Sequence, residues 1–581
     1  MTNVSRAYLT TDSGRRVHYR RAGSGPPLVM LHPSHGSSWA LEDLMRALAS
    51  RQTTLAIDTP GYGESEPLAV ELPTIEDYAD ALGETLDALG LAQIDLYGAH
   101  TGAKIAIAFA LTRPDRVHRL VLDGLAIWTA DEIADVVAHY TPSLTPEPDA
   151  THWVRAWAMV RNRHIFWPWY RRDWRSRIFA DLPSPTALHA QFVDLIRAGS
   201  AYSLGYQAAF AYDGLAALRR VSVPTVLLAS TADRLATHLE RATGLAPNVT
   251  IAPPQNGLTA RANRIAQALA DDVLPPTPLF PPVVPVVGQV RRDYAPTRVG
   301  QVLLRRSGTG PGRPLLLFHG SPGTSRQLEP LLLAMGLDRP VITFDTPGLG
   351  DSSSPPPGAA MWDIAAIVGD AIDSLGLDEY DIYGSRTGSC LGIELAIARP
   401  DQVRRLIVDG PVIYSKAYAA WMVQHYLPLL TPQDHGGHLL LAWNFRRDQQ
   451  LFYPWFDHTL AGVEARIAFT TDRDAAGLTG EALNRGFSDF LKSALTYQIP
   501  YHAGITYPTI DRLPLVDQPV LICTNEHDVF RPTMAEACQA ARAYQSRIYP
   551  DPGPPEALAA TIDLFRRFFD GEALPSLHGE L

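Results

Sequence analysis

The sequence of 581 residues predicts an α/β fold that occurs twice in tandem, each copy a doubly wound sheet with a helical cap insertion. Three observations support this prediction. Several short motifs recur in the same order, short apolar runs alternate with amphipathic stretches, and one segment of each copy interrupts that alternation. Alternating β and α units predict a mainly parallel sheet that is covered by helices on both faces.

The first observation is that the chain repeats itself with a period far longer than that of a solenoid. Motifs of the first half recur 286 or 287 residues later, so order and spacing both indicate a domain duplication. The matched pairs are LHPSHGSS (Leu31–Ser38) with FHGSPGTS (Phe318–Ser325), DTPGYGES (Asp58–Ser65) with DTPGLGDS (Asp345–Ser352), DLYGAHTG (Asp95–Gly102) with DIYGSRTG (Asp381–Gly388), and RLVLDG (Arg119–Gly124) with RLIVDG (Arg405–Gly410).

A proline-rich stretch, residues 275–288, separates the two copies and favours an extended, semi-rigid connection. The predicted domains are therefore residues 1–274 and 289–581. Later matches are offset by 295 residues, so the second copy gains a short insertion, which we place around Asp472–Gly480.

The second and third observations concern the elements of each copy. In the first copy, short apolar runs predict buried parallel strands at residues 27–31, 54–57, 94–98, 119–124 and 225–230. The amphipathic stretch 74–90 predicts a crossover helix. Residues 128–215 break this rhythm and are rich in Trp, Tyr, Arg and His, so we expect a helical cap there and in its counterpart, residues 414–510.

Composition excludes several classes of function. The formal net charge is -11, so no basic footprint for nucleic acid is present. The three cysteines form no CxxC pair, and no metal-binding spacing occurs, so neither a metal nor a cofactor is expected. The sequence has no run of 18 apolar residues and no apolar leader, so we expect a cytoplasmic protein that does not contact membranes.

Taken together, the motifs resemble the α/β-hydrolase fold superfamily over nearly the whole chain, twice. In that family a G-x-S-x-G elbow carries the nucleophile at its centre. Here the centre is His100 in GAHTG and Arg386 in GSRTG, and neither forms the acyl-enzyme of a serine hydrolase. The histidine that the resemblance implies after the last strand is also missing from residues 251–261 and 548–558.

The resemblance implies two positions for a catalytic acid. The late position falls on Asp233 in the first copy and on Asp528 in the second. An alternative position, just after the preceding strand, falls on Asp123 and Asp409. We expect His100 to act as a general base or nucleophile with Asp123 orienting its second ring nitrogen, or else to be hydrogen-bonded in an inactive pocket.

Arg386 cannot serve as a base, because its guanidinium stays protonated. It either pairs with Asp409 in a domain without activity or forms a binding site for an anion. His32 and His319 lie on the family's oxyanion loop, where a histidine shapes the loop more often than it reacts. In the cap, His152 and His438 occupy matched positions. Either they relay protons or they bond to the backbone.

Aromatic residues of the cap, including Trp157 and Trp169, either line an apolar substrate pocket or pack the cap on the sheet. The favoured hypothesis is an atypical enzyme for a small organic molecule. Its reaction is ester, lactone or C–C hydrolysis, or a cofactor-free lyase or decarboxylase step. The alternatives are a non-catalytic binding or scaffold protein and a second copy that mimics the partner subunit of an ancestral dimer.

Overall fold

Two eight-stranded sheets form the framework of the chain, one from each copy of the repeat. The computed structural model describes residues 3–269, 274–278, 280, 283–469, 478–550 and 555–574. Most of the insertion expected around Asp472–Gly480 and part of the proline-rich linker lie outside the described residues, and the domain boundaries stay a prediction. The first unit comprises Met1–Pro146, Thr151–Val283 and Gln433–Gly436, and the second unit comprises Glu147–Ala150, Val284–Pro432 and Gly437–Leu581.

The sheet of the first unit has the strand order β1-β2-β4-β3-β5-β6-β7-β8. Strands β3 to β8 run parallel to one another, whereas β2 is antiparallel to both β1 and β4. The strands are β1 Ser5–Thr10, β2 Arg16–Ala22, β3 Pro27–Leu31, β4 Thr53–Ile57, β5 Ile94–Ala99, β6 Val117–Asp123, β7 Thr225–Leu228 and β8 Val249–Ile251.

Strand β3 shows why the central strands are continuous apolar runs. All five of its residues are buried, because side chains alternate between two covered faces. Val29 and Leu31 join the larger apolar cluster on one face, while Leu28 and Met30 join a second cluster on the other. Helices therefore cover both faces, as the doubly wound prediction requires.

Nine helices of the first unit are described, and five of them lie between β6 and β7, where the cap was expected. Helix α2 begins with a capping box, in which Thr74 and Asp77 satisfy each other's backbone N–H groups. The helices are α1 Glu42–Leu48, α2 Ile75–Ala88, α3 Thr101–Thr112, α4 Ala130–His139, α5 Thr151–Asn162, α6 Pro185–Ala198, α7 Tyr202–Ala211, α8 Gly214–Leu218 and α9 Gly257–Ala268, with 3-10 turns at Ser38–Leu41, Pro114–Arg116, Trp174–Ser176, Gly199–Ala201 and Ala236–Arg241.

The second unit has the same strand order, β9-β10-β12-β11-β13-β14-β15-β16. Its strands are β9 Arg291–Thr297, β10 Gly300–Ser307, β11 Leu315–Phe318, β12 Val341–Phe344, β13 Tyr380–Ser385, β14 Val403–Asp409, β15 Val520–Asn525 and β16 Tyr544–Tyr549. Its helices are α10 Glu329–Met335, α11 Met361–Ser374, α12 Thr387–Ala398, α13 Lys416–His425, α14 Gly437–Asp448, α15 Leu460–Ala468, α16 Gly480–Leu491, α17 Gln498–Ile505, α18 Thr509–Arg512, α19 Met534–Ala540 and α20 Pro555–Asp570, with 3-10 turns at Ser325–Leu328, Leu513–Leu515 and Arg531–Thr533.

The structure confirms the two α/β sheets with their helices. The antiparallel strands at the start of each copy, β1 with β2 and β9 with β10, were not predicted. Arginines interrupt β1, β2 and β9, so these strands lack the continuous apolar runs of the central strands. Strand β10 does bury a short apolar run, residues 302–304, which the prediction missed. Across the described part of the chain, the helices are too short or too polar to traverse a lipid bilayer.

The turn from β5 to α3 depends on the absence of a side chain at Gly98, where a Cβ would overlap the carbonyl oxygen of Gly102. We therefore expect Gly98→Ala to destabilise the first unit by about 2 kcal/mol. Gly214→Ala is the matched control, because a Cβ there would make ordinary contacts with Leu125 and Lys104 at 3.5 Å or more. Calorimetric unfolding of the full chain measures both effects, and equal melting temperatures for the two variants would contradict the expectation.

Candidate functional site

Each sheet carries one sharp turn in which a strand passes directly into a helix. The residue at the apex is His100 between β5 and α3 and Arg386 between β13 and α12, and both adopt a φ of 51°. A side chain rarely tolerates this left-handed conformation, so the surrounding backbone must hold it. The His100 N–H donates to the carbonyl of Asp123 at 3.0 Å, and the Arg386 N–H donates to that of Asp409 at 2.7 Å.

The side chain of His100 meets an acid from another strand end. Its Nε2 lies 3.4 Å from Oδ2 of Asp233, which is a charge-pairing distance slightly longer than a good hydrogen bond. The imidazole is 38% exposed, while Asp233 is 12% exposed. Asp233 is itself held in place, because its Oδ1 accepts from the Leu235 N–H at 2.8 Å.

Asp123 does not orient His100, which corrects the sequence-based expectation. Its carboxylate accepts a hydrogen bond from the Tyr97 hydroxyl at 2.7 Å and lies 3.4 Å from Nη1 of Arg261. The late acid position, Asp233, is the one beside the imidazole. Tyr97 belongs to the same motif as His100, so the sequence contained the residue that engages Asp123.

Gly124, directly after β6, leaves room for the pair of His100 and Asp233. A Cβ at this position would overlap Oδ2 of Asp233 and lie 3.0 Å from Nε2 of His100. Gly124 also has a φ of 64°, which favours glycine. Gly124 therefore matters for the site because it leaves room for the two side chains, not because it contributes a functional group.

His32 and His319 are structural in both units, so the sequence-based candidacy of His32 as a catalytic residue is wrong. His32 is buried, with Nδ1 against the Pro33 carbonyl at 3.0 Å and Nε2 accepting from the Thr59 N–H at 3.0 Å. His319 repeats the pattern with Gly320 and Thr346. Burial lowers the pKa of both imidazoles, so they stay neutral and tie the oxyanion loop to the next strand.

The cap residues singled out from the sequence lie outside both cavities, which corrects their assignment to the site. His152 is buried and packs its ring against Trp153 at 4.6 Å, and His438 is equally buried. Trp157 packs against Phe192, and Trp169 donates to the Tyr140 carbonyl at 3.1 Å. These side chains pack the cap and do not line either cavity.

A cavity of about 480 Å³ opens above the elbow of the first unit. His100, Asp233 and Asp123 line it. The wall also includes Trp167, one of the cap aromatics that the sequence led us to expect in a pocket. Sequence reasoning missed further functional groups of the wall, among them Lys104, Arg163, His164, Trp128, Tyr140, Tyr206 and Phe210. These residues come from α3 and from several cap segments that are far apart in the chain, so no local sequence motif predicts that they meet.

Lys104 is a buried cation close to the elbow. Its Nζ donates to the backbone carbonyls of Ala209 at 2.6 Å and Tyr212 at 2.9 Å. Burial lowers the pKa of Lys104 to about 8. Lys104 thereby ties α3 to the end of α7, and its charge is compensated by two carbonyl dipoles and by the nearby charge of Asp213.

The elbow of the second unit carries an ion pair of arginine and aspartate, but the aspartate is not the one expected from the sequence. Arg386 pairs with Asp528, not with Asp409, and donates from Nη2 at 2.9 Å and from Nε at 3.2 Å. Asp409 instead accepts from the hydroxyls of Tyr383 at 2.5 Å and Tyr549 at 2.7 Å. Burial raises the pKa of Asp409 to about 6.

The oxyanion loop of the second unit is bonded to the elbow itself. The Ser321 N–H donates to Oγ1 of Thr387, the residue after the apex, at 2.7 Å, and the Thr387 hydroxyl donates to the Ser321 hydroxyl at 3.0 Å. In the first unit, the matched Ser34 is bonded elsewhere. Its hydroxyl donates to Tyr62 at 3.2 Å, and its carbonyl accepts from Tyr206 at 2.7 Å.

Comparison with known proteins places both copies in one family. The sequence profile described as alpha/beta hydrolase fold matches residues 26–254 and 313–553. Haloalkane dehalogenase 2 of Mycobacterium bovis is 36% identical over 124 residues, which cover 21% of this chain and 43% of that protein. The 2-hydroxymuconate semialdehyde hydrolase of a Pseudomonas species is 38% identical over 136 residues, covering 22% and 48%.

Each of these matches spans less than half the length of the curated relative. Among solved structures, the enol-lactonase of Burkholderia xenovorans LB400 is 18% identical, with a TM-score of 0.36 over 48% of this chain and 100% of that chain.

The raised pKa of Asp409 predicts how stability depends on pH. An unfolded aspartate ionises near 3.8, whereas the folded group ionises near 6, so the contribution of Asp409 to stability falls as the pH rises from about 4 to about 6. We expect Asp409→Asn, which keeps an acceptor for both tyrosines, to remove this loss of about 3 kcal/mol.

The measurement is the difference in melting temperature between variant and wild type at pH 4, 5, 6 and 7, which should grow with pH and then level off. Asp378→Asn, at an exposed position of the same unit, controls for the change in net charge. A difference that does not vary with pH would refute the assignment.

Proposed function

Because the chain belongs to the α/β hydrolase fold family, we propose that its first unit is an enzyme for a small organic carbonyl compound. In this proposal His100 is the general base and Asp233 its partner. The observation that carries the proposal is the position of the imidazole. It stands at the apex of a strained elbow, 3.4 Å from a carboxylate and half exposed in a cavity of about 480 Å³.

The proposed reaction is hydrolysis by a water molecule that His100 activates. Asp233 faces Nε2 and favours the tautomer with a proton there, so Nδ1 takes a proton from water. The oxygen of that water bonds to the substrate carbonyl carbon, whose π electrons move onto the carbonyl oxygen. When the carbonyl re-forms, the bond to the leaving group breaks, and His100 returns the proton to the departing oxygen or carbon.

A developing oxyanion needs donors beside the elbow. The first N–H groups of α3 have no partner within the helix, and the side chain of His100 does not cap them. In the second unit, the Ser321 N–H of the oxyanion loop is already bonded to Thr387. This difference between the matched loops supports the first unit as the catalytic one.

The names of the matched relatives favour hydrolysis over other acid–base reactions. They describe a dehalogenase and several hydrolases, including a 2-hydroxymuconate semialdehyde hydrolase. We therefore rank ester, lactone and C–C bond hydrolysis first for this chain. The cavity is lined by aromatic side chains, which suits a compact substrate with an apolar body.

A second candidate is a cofactor-free lyase or decarboxylase reaction. One observation favours it: the apex carries an imidazole in place of a hydroxyl or carboxylate nucleophile. A base in that position can remove a proton from a carbon next to a carbonyl group without forming a covalent intermediate. A panel of esters, lactones, β-diketones and β-keto acids separates this candidate from hydrolysis.

We expect His100→Ala to lower kcat at least 100-fold on any substrate that the panel identifies, because general-base assistance is lost. Asp233→Asn should lower kcat less, since the imidazole remains but its partner is neutral. The control is His118→Gln, which removes a second imidazole of the same unit that also faces a carboxylate, Asp95 at 3.0 Å, outside the cavity.

Steady-state kinetics on the purified full chain measure all three variants, and circular dichroism verifies that each is folded. Full activity of a folded His100→Ala variant would refute the role of His100. The absence of any turnover across the panel by the wild type would favour the non-catalytic binding protein instead.

A further inference from the structure

The cavity of the second unit has an unusual balance of charge. It measures about 480 Å³ and is lined by three guanidinium groups, those of Arg386, Arg446 and Arg466. Among the described residues of its wall, the single carboxylate is Asp528, which is already paired with Arg386. Such an excess of fixed positive charge in a partly enclosed space favours an anionic occupant.

Arg446, on α14, is a cation of this cavity with few compensating groups. Its Nη1 donates to Oε1 of Gln449 at 2.6 Å, and its Cζ lies 5.6 Å from the centre of the Phe490 ring. Its Nε is buried without a hydrogen-bond partner among the described residues. The acidic side chain whose charge raises the pKa of Arg446 is Asp489, which itself pairs with Arg326 at 3.8 Å.

Burial lowers the pKa of Arg446, so neighbouring groups do not offset the cost of burying its charge. The position that matches Arg446 in the first copy is Val160, which is fully buried. A guanidinium at this point of the cap is therefore a feature of the second cavity alone. It is not needed for the fold that the two copies share.

Arg386 retains donors for a ligand. Its bonds to Asp528 use Nε and Nη2 and reach one oxygen, Oδ2, while 49% of its side chain is exposed. A guanidinium has five N–H donors, so an anion can bind to those that Asp528 leaves. Arg466 adds a third positive charge to the cavity. Burial and the charge of Arg386 both lower its pKa, so the two guanidinium groups repel each other.

Six aromatic side chains form a large part of the remaining wall. Tyr414, Tyr426, Tyr453 and Tyr501 line the cavity together with Phe469 and Phe530. Burial raises the pKa of all four tyrosines, so their hydroxyls stay protonated and can donate. Flat apolar rings with a few donors suit a planar, conjugated molecule rather than a bare inorganic ion.

We propose that the cavity of the second unit is a binding site for a small aromatic or conjugated carboxylate. Arg446 and the free donors of Arg386 bind the carboxylate group, and the tyrosines contact the planar body. A carboxylate has two coplanar oxygens, which match the fork of a guanidinium. The proposed role of the two arginines is binding, because neither can accept a proton at physiological pH. This proposal does not rest on the activity proposed for the first unit.

The test is calorimetric titration of the full chain with three probes. Benzoate supplies the carboxylate and the ring, benzamide supplies the same shape without charge, and inorganic phosphate supplies charge without the ring. We expect benzoate to bind at least tenfold more tightly than either of the others. Binding of benzamide or phosphate as tight as that of benzoate would overturn the assignment to a carboxylate ligand.

Variants then locate the site. Arg446→Gln should weaken benzoate binding at least tenfold, and Arg446→Met provides a second replacement that keeps the apolar stem if the first fails to fold. The control is Arg447→Gln on the same helix, since Arg447 pairs with Asp448 at 2.9 Å and lies outside the cavity.

Arg447→Gln should bind benzoate like the wild type. Unchanged affinity and stoichiometry in a folded Arg446 variant would overturn the proposal, as would an equal loss of affinity in the Arg447 control.

Discussion

The chemistry of both units depends on one backbone constraint, the left-handed residue that joins a strand to a helix. Such a conformation costs on the order of 1–3 kcal/mol for a side-chain-bearing residue, so the fold around it must compensate. Gly98 and Gly102 allow α3 to approach β5 and β3, since a Cβ on Gly102 would lie 2.5 Å from the carbonyl oxygen of Leu31. The N–H of His100 is then bonded to the neighbouring strand β6. The apex side chain is thereby held at the edge where the parallel strands end, beside the cavity.

Closely similar backbones at this point carry different chemistry because the apex side chain differs. The late acid is present in both units, as Asp233 and as Asp528, and in both it contacts the apex residue. Facing an imidazole, the carboxylate can select a tautomer and stabilise a transient cation. Facing a guanidinium, it forms a permanent ion pair. The hydrogen bond from the Ser321 N–H to Thr387 adds to this contrast. The matched residue of the first unit, Ser34, makes no such bond to the elbow among the described residues.

The sequence predicted the duplication, the central strands and the elbows, because each rests on local pattern: apolar runs, glycine spacing and a fixed offset. It did not predict which acid faces the apex. Asp123 and Asp233 both follow parallel strands and therefore reach the same edge of the sheet, so chain position alone cannot distinguish them. The two acids differ because the Tyr97 hydroxyl donates a hydrogen bond to Asp123, as the Tyr383 hydroxyl does to Asp409. That tyrosine stands in both elbow motifs, but its effect depends on the register of β5 against β6.

The cap shows why agreement between the copies is a poor guide to the sites. His152 and His438 match in sequence, yet both are buried away from the cavities, because the packing of cap on sheet requires similar side chains in both units. The cavity walls contain positions of both kinds. Tyr140 and Tyr426 match and line the two cavities, whereas other wall positions differ between the copies. Val160 and Arg163 of the first copy correspond to Arg446 and Gln449 of the second, and three of these four side chains line a cavity. In this chain, matched positions therefore include both packing residues and cavity residues, whereas positions that differ, such as His100 with Arg386, distinguish what each cavity can bind.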